Sequence, residues 1–183
     1  SQEVEPAYYG GAQDNGTLKM GGNNASNWTQ ILGGDGFHTI VDPNNPDIVY
    51  AEYQWGNFFR SLNGGQSFQQ KTDGIDSNDR NNWNTPVVLD PSNSSVLYYG
   101  TQRLYRSASK ASSWTAISGD LSKGEHESGS QKYATITSIA VAPSDPNVIY
   151  VGTDDGNVQA TYDLGENWQL LSDSLPNRYV TGL

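Results

Sequence analysis

The chain has 183 residues, 20 glycines, no cysteine, an aromatic content of 11% and a formal net charge of -10. Such a turn-rich, aromatic-studded composition suits an all-β protein and excludes helical bundles and disorder. No apolar run is long enough to insert in a membrane, the acidic balance excludes a nucleic-acid face, and the lack of cysteine leaves the redox compartment unmarked.

In chain order, Ala7–Met20 reads as two strands joined by the turn Gln13-Asp14-Asn15-Gly16. A fuller unit follows. Its first strand ends at Ile40-Val41, a Pro/Asn/Asp turn runs from Asp42 to Asp47, and a second strand covers Ile48–Ala51. The same phrase returns around Asp90-Pro91 and around Ala142-Pro143, each time closing on a tyrosine: Tyr50, Tyr98 and Tyr150. Proline presets φ in these turns and the polar residues close them. The flanking runs are short and β-branched, so they read as strands buried on both faces.

After each second strand comes a third, at Asn57–Arg60, Leu104–Arg106 and Val158–Ala160, and then an octet. The octets are Ser61-Leu62-Asn63-Gly64-Gly65-Gln66-Ser67-Phe68, its eroded copy Ser107–Trp114, and Thr161-Tyr162-Asp163-Leu164-Gly165-Glu166-Asn167-Trp168. A weaker echo ends at Asn27-Trp28. In this pattern Asn63 and Asp163 are expected to bond backbone two residues on, and Gly65 and Gly165 to supply a positive φ. Ala111 stands where those glycines stand, so its turn is expected to differ in dihedrals or to be more mobile. Trp28, Phe68, Trp114 and Trp168 open the fourth strands and are expected at equivalent buried positions.

Strands A, B, C and D thus repeat at roughly 40 to 50 residues, the period of a β-propeller blade. The expected division is a partial blade over 1–34, blades over 35–74, 84–120 and 133–174, and the start of a further strand A over 178–183. Polar insertions at Asp73–Asn84 and Leu121–Lys132 lie between one blade's strand D and the next strand A. About three complete blades are too few to close a ring. The expected partners therefore include the remaining blades of a parent chain, or other chains.

The octets resemble Asp-boxes, the repeat turns of sialidases, sortilin and xyloglucanases. Longer phrases narrow the resemblance: Gln13-Asp14-Asn15-Gly16-Thr17, Gly33-Gly34-Asp35-Gly36-Phe37, Asn82-Trp83-Asn84-Thr85-Pro86, Tyr99-Gly100-Thr101 and Ile149–Gly156. They are similar to large secreted bacterial propeller proteins of the sortilin/xyloglucanase-like type. The resemblance implies a secreted or cell-surface module that recognises a glycan or protein, or a propeller segment of a glycoside hydrolase. No cofactor is implied.

In an up-and-down blade the B–C and D–A connections emerge at one end of the sheet, and the octet turns at the other. Gln13, Asp14, Asp35, His38, Gln54 and Trp55 should therefore gather at the B–C end. Asp14 and Asp35 beside Trp55 offer the acid, base and aromatic platform of a glycosidase. They read equally as turn residues bonding backbone. Arg80 with Trp83 is a second candidate, since arginine pairs carboxylates in bidentate fashion. Arg80 alternatively pairs with Asp76 or Asp79 on the surface. His126, between Glu125 and Glu127, lacks the further ligands a metal site needs, so no metal is expected.

Overall fold

Short β-branched and aromatic runs bounded by Pro, Asn, Asp and Gly dictate strands joined by tight turns. The computed structural model has that form over the residues it describes, 6–22, 26–124, 126–128 and 131–183. The chain divides into two compact units, one ending at Lys71 and one starting at Thr72. In the first unit, β1 (Ala7–Ala12), β2 (Gly16–Gly21) and β3 (Trp28–Leu32) form a three-stranded sheet. Beside it β4 (Gly36–Val41), β5 (Val49–Tyr53), β6 (Asn57–Ser61) and β7 (Gln69–Gln70) form a four-stranded sheet.

The second unit holds two four-stranded sheets. One is β8 (Val87–Leu89), β9 (Leu97–Gly100), β10 (Leu104–Ser107) and β11 (Thr115–Ala116). A hairpin of β12 (His126–Ser128) and β13 (Gln131–Tyr133) arises from the second polar insertion. The other sheet is β14 (Ile136–Val141), β15 (Ile149–Thr153), β16 (Val158–Thr161) and β17 (Gln169–Leu170). Strands in each sheet follow chain order and pair antiparallel, so each four-stranded sheet is the A-B-C-D meander of the repeat. Strand B is the buried centre: β9 is buried throughout and β5 over Val49–Glu52. Strand A is only half-buried in β4 and β14, short of the two-faced burial expected.

The second unit's core packs Val96, Tyr98, Leu104, Leu121, Ile136, Ile139, Ile149 and Val151. In the first unit Tyr50 stacks on Phe58 with centroids 5.8 Å apart. Each such side chain contributes about 1.5–3 kcal/mol by leaving water. Tyr50 lies opposite Arg60, and Tyr98 opposite Arg106. The Tyr98 hydroxyl donates to Asp90 at 3.3 Å. Burial pushes the Tyr50 hydroxyl up to about 12, with Arg60 opposing and Asp42 adding to the shift. In the last sheet Ala142 and Ala160 replace the acid and the base together, and Tyr150 meets Tyr162 edge-on instead.

The octet turns follow one hydrogen-bond plan, and it differs from the expected one. The leading hydroxyl does the short-range closure. Ser61 Oγ accepts from Asn63 N–H at 3.2 Å and Gly65 N–H at 2.9 Å. Asn63 Oδ1 reaches four residues on, to Ser67 N–H at 3.0 Å. Thr161 and Asp163 repeat this onto Gly165 and Asn167. In the eroded copy Ser107 Oγ accepts from Ala111 N–H at 3.0 Å, and Ser109 Oγ from Ser113 N–H at 3.2 Å.

These bonds impose two consecutive left-handed residues: Gly64-Gly65, Lys110-Ala111 and Leu164-Gly165. Ala111 has φ +60, so the expectation that its turn departs from the glycine copies is overturned. The hydroxyl bond, which survives in Ser107, holds the conformation, and alanine bears its strain of about 1 kcal/mol. Each octet is also tied to the A–B turn of its own sheet, through Gly64 N–H to Asp47 O, Lys110 N–H to Ser95 O and Leu164 N–H to Asn147 O. The aromatics that follow are not equally buried. Trp114 is buried, Phe68 and Trp168 are half-buried, and Trp28 is 46% exposed within β3. In the echo that ends at Trp28, Gly21 stands where the octets carry their leading hydroxyl.

Candidate functional site

The B–C and D–A connections of the first unit meet through hydrogen bonds at the end of the sheets away from the octets. The β1–β2 turn carries Gln13, Asp14 and Asn15, and it closes by Asn15 N–H to Ala12 O at 3.1 Å and Asn15 Nδ2 to Gln13 O at 3.1 Å. The Asp14 amide donates to Asp35 Oδ1 at 2.8 Å, so the Asp35 carboxylate bridges to the neighbouring connection. The Asp35 amide in turn donates to Gln54 Oε1 at 2.7 Å. Backbone approach here depends on glycine: a Cβ on Gly36 would lie 2.2 Å from Gly16 O. Gln13, Asp14, Asp35, Gln54 and Trp55 therefore share one loop cluster. His38 lies on β4, within a bulge between Gly36 and Thr39. His38 is half-buried, and burial lowers its pKa.

Trp55 is the outlier of the cluster. Its φ is +64 and the residue is 40% exposed. A bulky residue in the left-handed region is strained, and turns that need positive φ favour Gly or Asn. Gly56 follows with φ +73, and Asn57 Nδ2 donates to Gln54 O at 2.8 Å.

Gln54 has a repeated structural role that its sequence context hides. Its oxygen accepts the backbone N–H that leads into strand A. Gln102 Oε1 does the same for Arg80 N–H at 2.8 Å, and Asp154 Oδ1 for Ala134 and Thr135 N–H at 2.9 Å each. The signal was present as an acceptor recurring just after strand B, at Gln54, Gln102 and Asp154.

Arg80 and Trp83 lie in the second unit. Arg80 is 9% exposed and its guanidinium is committed to the chain itself. Nε donates to Ala134 O at 3.1 Å, and one amino group pairs with Asp120 at 2.7 Å and reaches Ser122 Oγ at 3.1 Å. This corrects the pairing expected with Asp76 or Asp79. Those two carboxylates belong to Arg103, at 3.2 and 2.5 Å. Asp79 also accepts from Tyr105 OH, Thr101 Oγ1 and Gln102 Nε2 at 2.6, 2.9 and 2.8 Å. Burial raises the Asp79 pKa, but these donors outweigh it and the net shift is downward. Trp83 is 37% exposed between Asn82 and Asn84.

Sequence reading passed over Lys123, Asn177, Arg178 and Tyr179, which line a cleft with Asp154 and Asp155. Lys123 lies in the polar insertion and Arg178 and Tyr179 in the start of the further strand A, and nothing local marks them as a group. Among the described residues no group of three or more His, Cys, Asp or Glu is placed to hold a metal. Glu125 lies outside those residues. Nor is any described helix long and apolar enough to cross a membrane.

No family model and no curated protein matches the chain. Solved structures do. A GH74 xyloglucanase from Xanthomonas campestris superposes with a TM-score of 0.69 at 20% identity, over 94% of this chain and 29% of its own. An ancestral GH74 enzyme superposes with a TM-score of 0.54, also at 20% identity, over 94% of this chain and 30% of its own. The chain thus spans under a third of the length of these structures, and the likeness is one of fold. Three four-stranded antiparallel meanders and a three-stranded sheet, in a chain that superposes on these structures, give it a β-propeller fold.

Proposed function

We propose that the chain is a recognition module of a secreted or surface-exposed propeller protein, built on Asp-box repeats, and that it holds a glycan or polypeptide against the B–C loops of the first unit. The observation that carries this reading is Trp55: a large ring exposed on a left-handed residue. Strain of this kind costs about 1–3 kcal/mol and gathers at ligand contacts. An exposed indole supplies a broad face for a sugar ring or an apolar side chain. Gln54, the residue before it, is tied through Asp35 to the Asp14 turn, which supplies polar groups on the same loop cluster.

The test is Trp55→Gly, which removes both ring and strain. The expected outcome is a stability gain of up to about 1 kcal/mol, from relief of the left-handed conformation less the entropy glycine adds to the unfolded chain, with loss of binding on a glycan and peptide array. Binding that survives the substitution refutes the assignment.

A second reading is glycoside hydrolysis by Asp14 and Asp35. The 2.8 Å bond between the Asp14 amide and Asp35 supports it, because the bond brings the two residues together. It also occupies one oxygen of Asp35, as a purely structural role would. Turnover of a polysaccharide that is lost in both Asp14→Asn and Asp35→Asn, at unchanged melting temperature, would favour hydrolysis. An inactive parent chain would leave recognition as the function.

A further inference from the structure

The second unit carries a cleft of about 340 Å³ lined by Lys123, Asp154, Asp155, Asn177, Arg178 and Tyr179. Its floor is fixed. Val180 N–H donates to Thr153 O at 3.1 Å, Thr137 Oγ1 donates to Val180 O at 2.6 Å, and the Val180 side chain covers Gly152. Ile136 stands in the same relation to the previous sheet: its N–H donates to Thr101 O at 2.7 Å and its side chain covers Gly100. Residues 177–180 are thus seated by the repeat itself, which presents Arg178 and Tyr179 on a fixed backbone.

The polar groups of the cleft divide into spent and available. Asp154 accepts from Ala134 N–H, Thr135 N–H and Thr135 Oγ1. Asp155 accepts from Thr153 Oγ1 at 2.5 Å and Lys123 N–H at 2.7 Å. Both carboxylates are therefore held by internal donors. The Lys123 ammonium donates to Asn177 Oδ1, which fixes the amide and leaves positive charge at the cleft. Arg178 is exposed, and no carboxylate of the described residues lies within ion-pair distance of it. Tyr179 is 50% exposed, and its hydroxyl interacts with the Asn82 side chain next to Trp83.

We propose that this cleft binds a sugar residue bearing one carboxylate, a uronic acid, with Arg178 pairing the carboxylate and Tyr179 covering the ring. A guanidinium matches a carboxylate with two parallel N–H···O bonds. An aromatic face packs against the C–H face of a pyranose. Lys123 adds a second donor cation. The chain's acidity and the two carboxylates in the cleft disfavour a dense polyanion, so the ligand carries its charge singly on an otherwise neutral glycan. Arg178 therefore does what sequence reading assigned to Arg80.

The test uses the 183-residue chain and two probes that differ only at the carboxylate, 4-nitrophenyl β-D-glucuronide and 4-nitrophenyl β-D-glucoside, with binding measured by calorimetry. The glucuronide should bind at least about tenfold more tightly, the difference a charge-assisted pair makes. Arg178→Ala should abolish that preference at unchanged melting temperature. Arg178→Lys should restore it in part, and Trp55→Gly should leave it intact, which separates this site from the recognition surface of the first unit. Equal binding of the two probes, no binding of either, or a preference that survives in Arg178→Ala would overturn the proposal. So would tighter binding of an acetylated peptide with a free C-terminal carboxylate than of the glucuronide, since the site would then read a chain end.

Discussion

Two glycines in equivalent octet turns should respond very differently to the same substitution. Gly65 and Gly165 have φ of +84 and +95, outside the narrow left-handed basin open to other residues. An alanine at either must draw φ back towards the +60 of Ala111. That conformational term is about 1 kcal/mol, partly offset by the smaller entropy of the unfolded chain. The difference lies in what the new Cβ meets. At Gly65 the closest atom is Ile31 Cδ1 at 2.9 Å, the movable end of a side chain. At Gly165 it is Ile117 O at 2.3 Å, a backbone carbonyl that also accepts from Trp168 Nε1.

Gly65→Ala should therefore cost about 1 kcal/mol, whereas Gly165→Ala adds an overpacking term and should cost about 3 kcal/mol. For a chain of this size that is a fall in melting temperature of about 6–12 °C for Gly165→Ala and about 2–4 °C for Gly65→Ala. Ala111→Gly is the control. It relieves the strain but removes a buried methyl worth about 0.8 kcal/mol and loosens the unfolded chain, so it should be neutral or slightly destabilising. Urea melts followed by tryptophan fluorescence measure all three. Equal losses for Gly65→Ala and Gly165→Ala would show that the contact with Ile117 O does not set the cost.

Other perturbations follow from the same geometry. Asp79→Ala should lower stability by about 3 kcal/mol in urea melts, because five donors lose their acceptor. With the pKa of His38 lowered by burial, the unfolded chain binds more protons just below pH 6.5, so stability should fall as pH drops through that value and level off below the folded pKa. His38→Gln should remove that component, which paired melts at pH 7 and 5.5 will detect. Gly156→Ala puts a Cβ 2.6 Å from Asn177 Oδ1 and 2.9 Å from Arg178 N, so it should unseat residues 177–180 and speed hydrogen exchange at the Val180 amide.

Architecture was legible because the repeat states it several times over. Three Pro-turn phrases and three octets bracket every complete sheet, and each octet carries its own hydroxyl and turn residues. Errors arose where one residue was read alone. Ala111 looks like a broken turn if the glycine sets the conformation. The hydroxyl of Ser107 sets it, and that hydroxyl recurs at the head of all three octets, at Ser61, Ser107 and Thr161. Arg80 looked like a ligand contact because it sits in a polar insertion, yet its partners Asp120, Ser122 and Ala134 are about 40 to 54 residues away in sequence. The cleft at Arg178 draws on three separate connections, and only the fold brings them together.

Positive φ alone does not mark a functional residue in this chain. Among the described residues Asp14, Trp55, Lys110, Ala111, Ala134 and Leu164 all lie there without being glycine. Lys110, Ala111 and Leu164 occupy octet turns, where the leading hydroxyl and the A–B turn impose the conformation on whatever residue is present. Ala134 is held by its amide bond to Asp154. Those four are consequences of the repeat, and their side chains could change within the limits of space. Trp55 and Asp14 are different. They lie at B–C turns, where the repeated hydrogen bond goes to the neighbouring acceptor Gln54 or its counterpart, and no octet-type hydroxyl closes the loop. At Trp55 the chain places a bulky side chain on a left-handed conformation and leaves the residue 40% exposed. Turn formation does not gain from that choice, since Gly or Asn would make the turn at lower cost. On the recognition reading proposed above, a ligand contact is what favours tryptophan there.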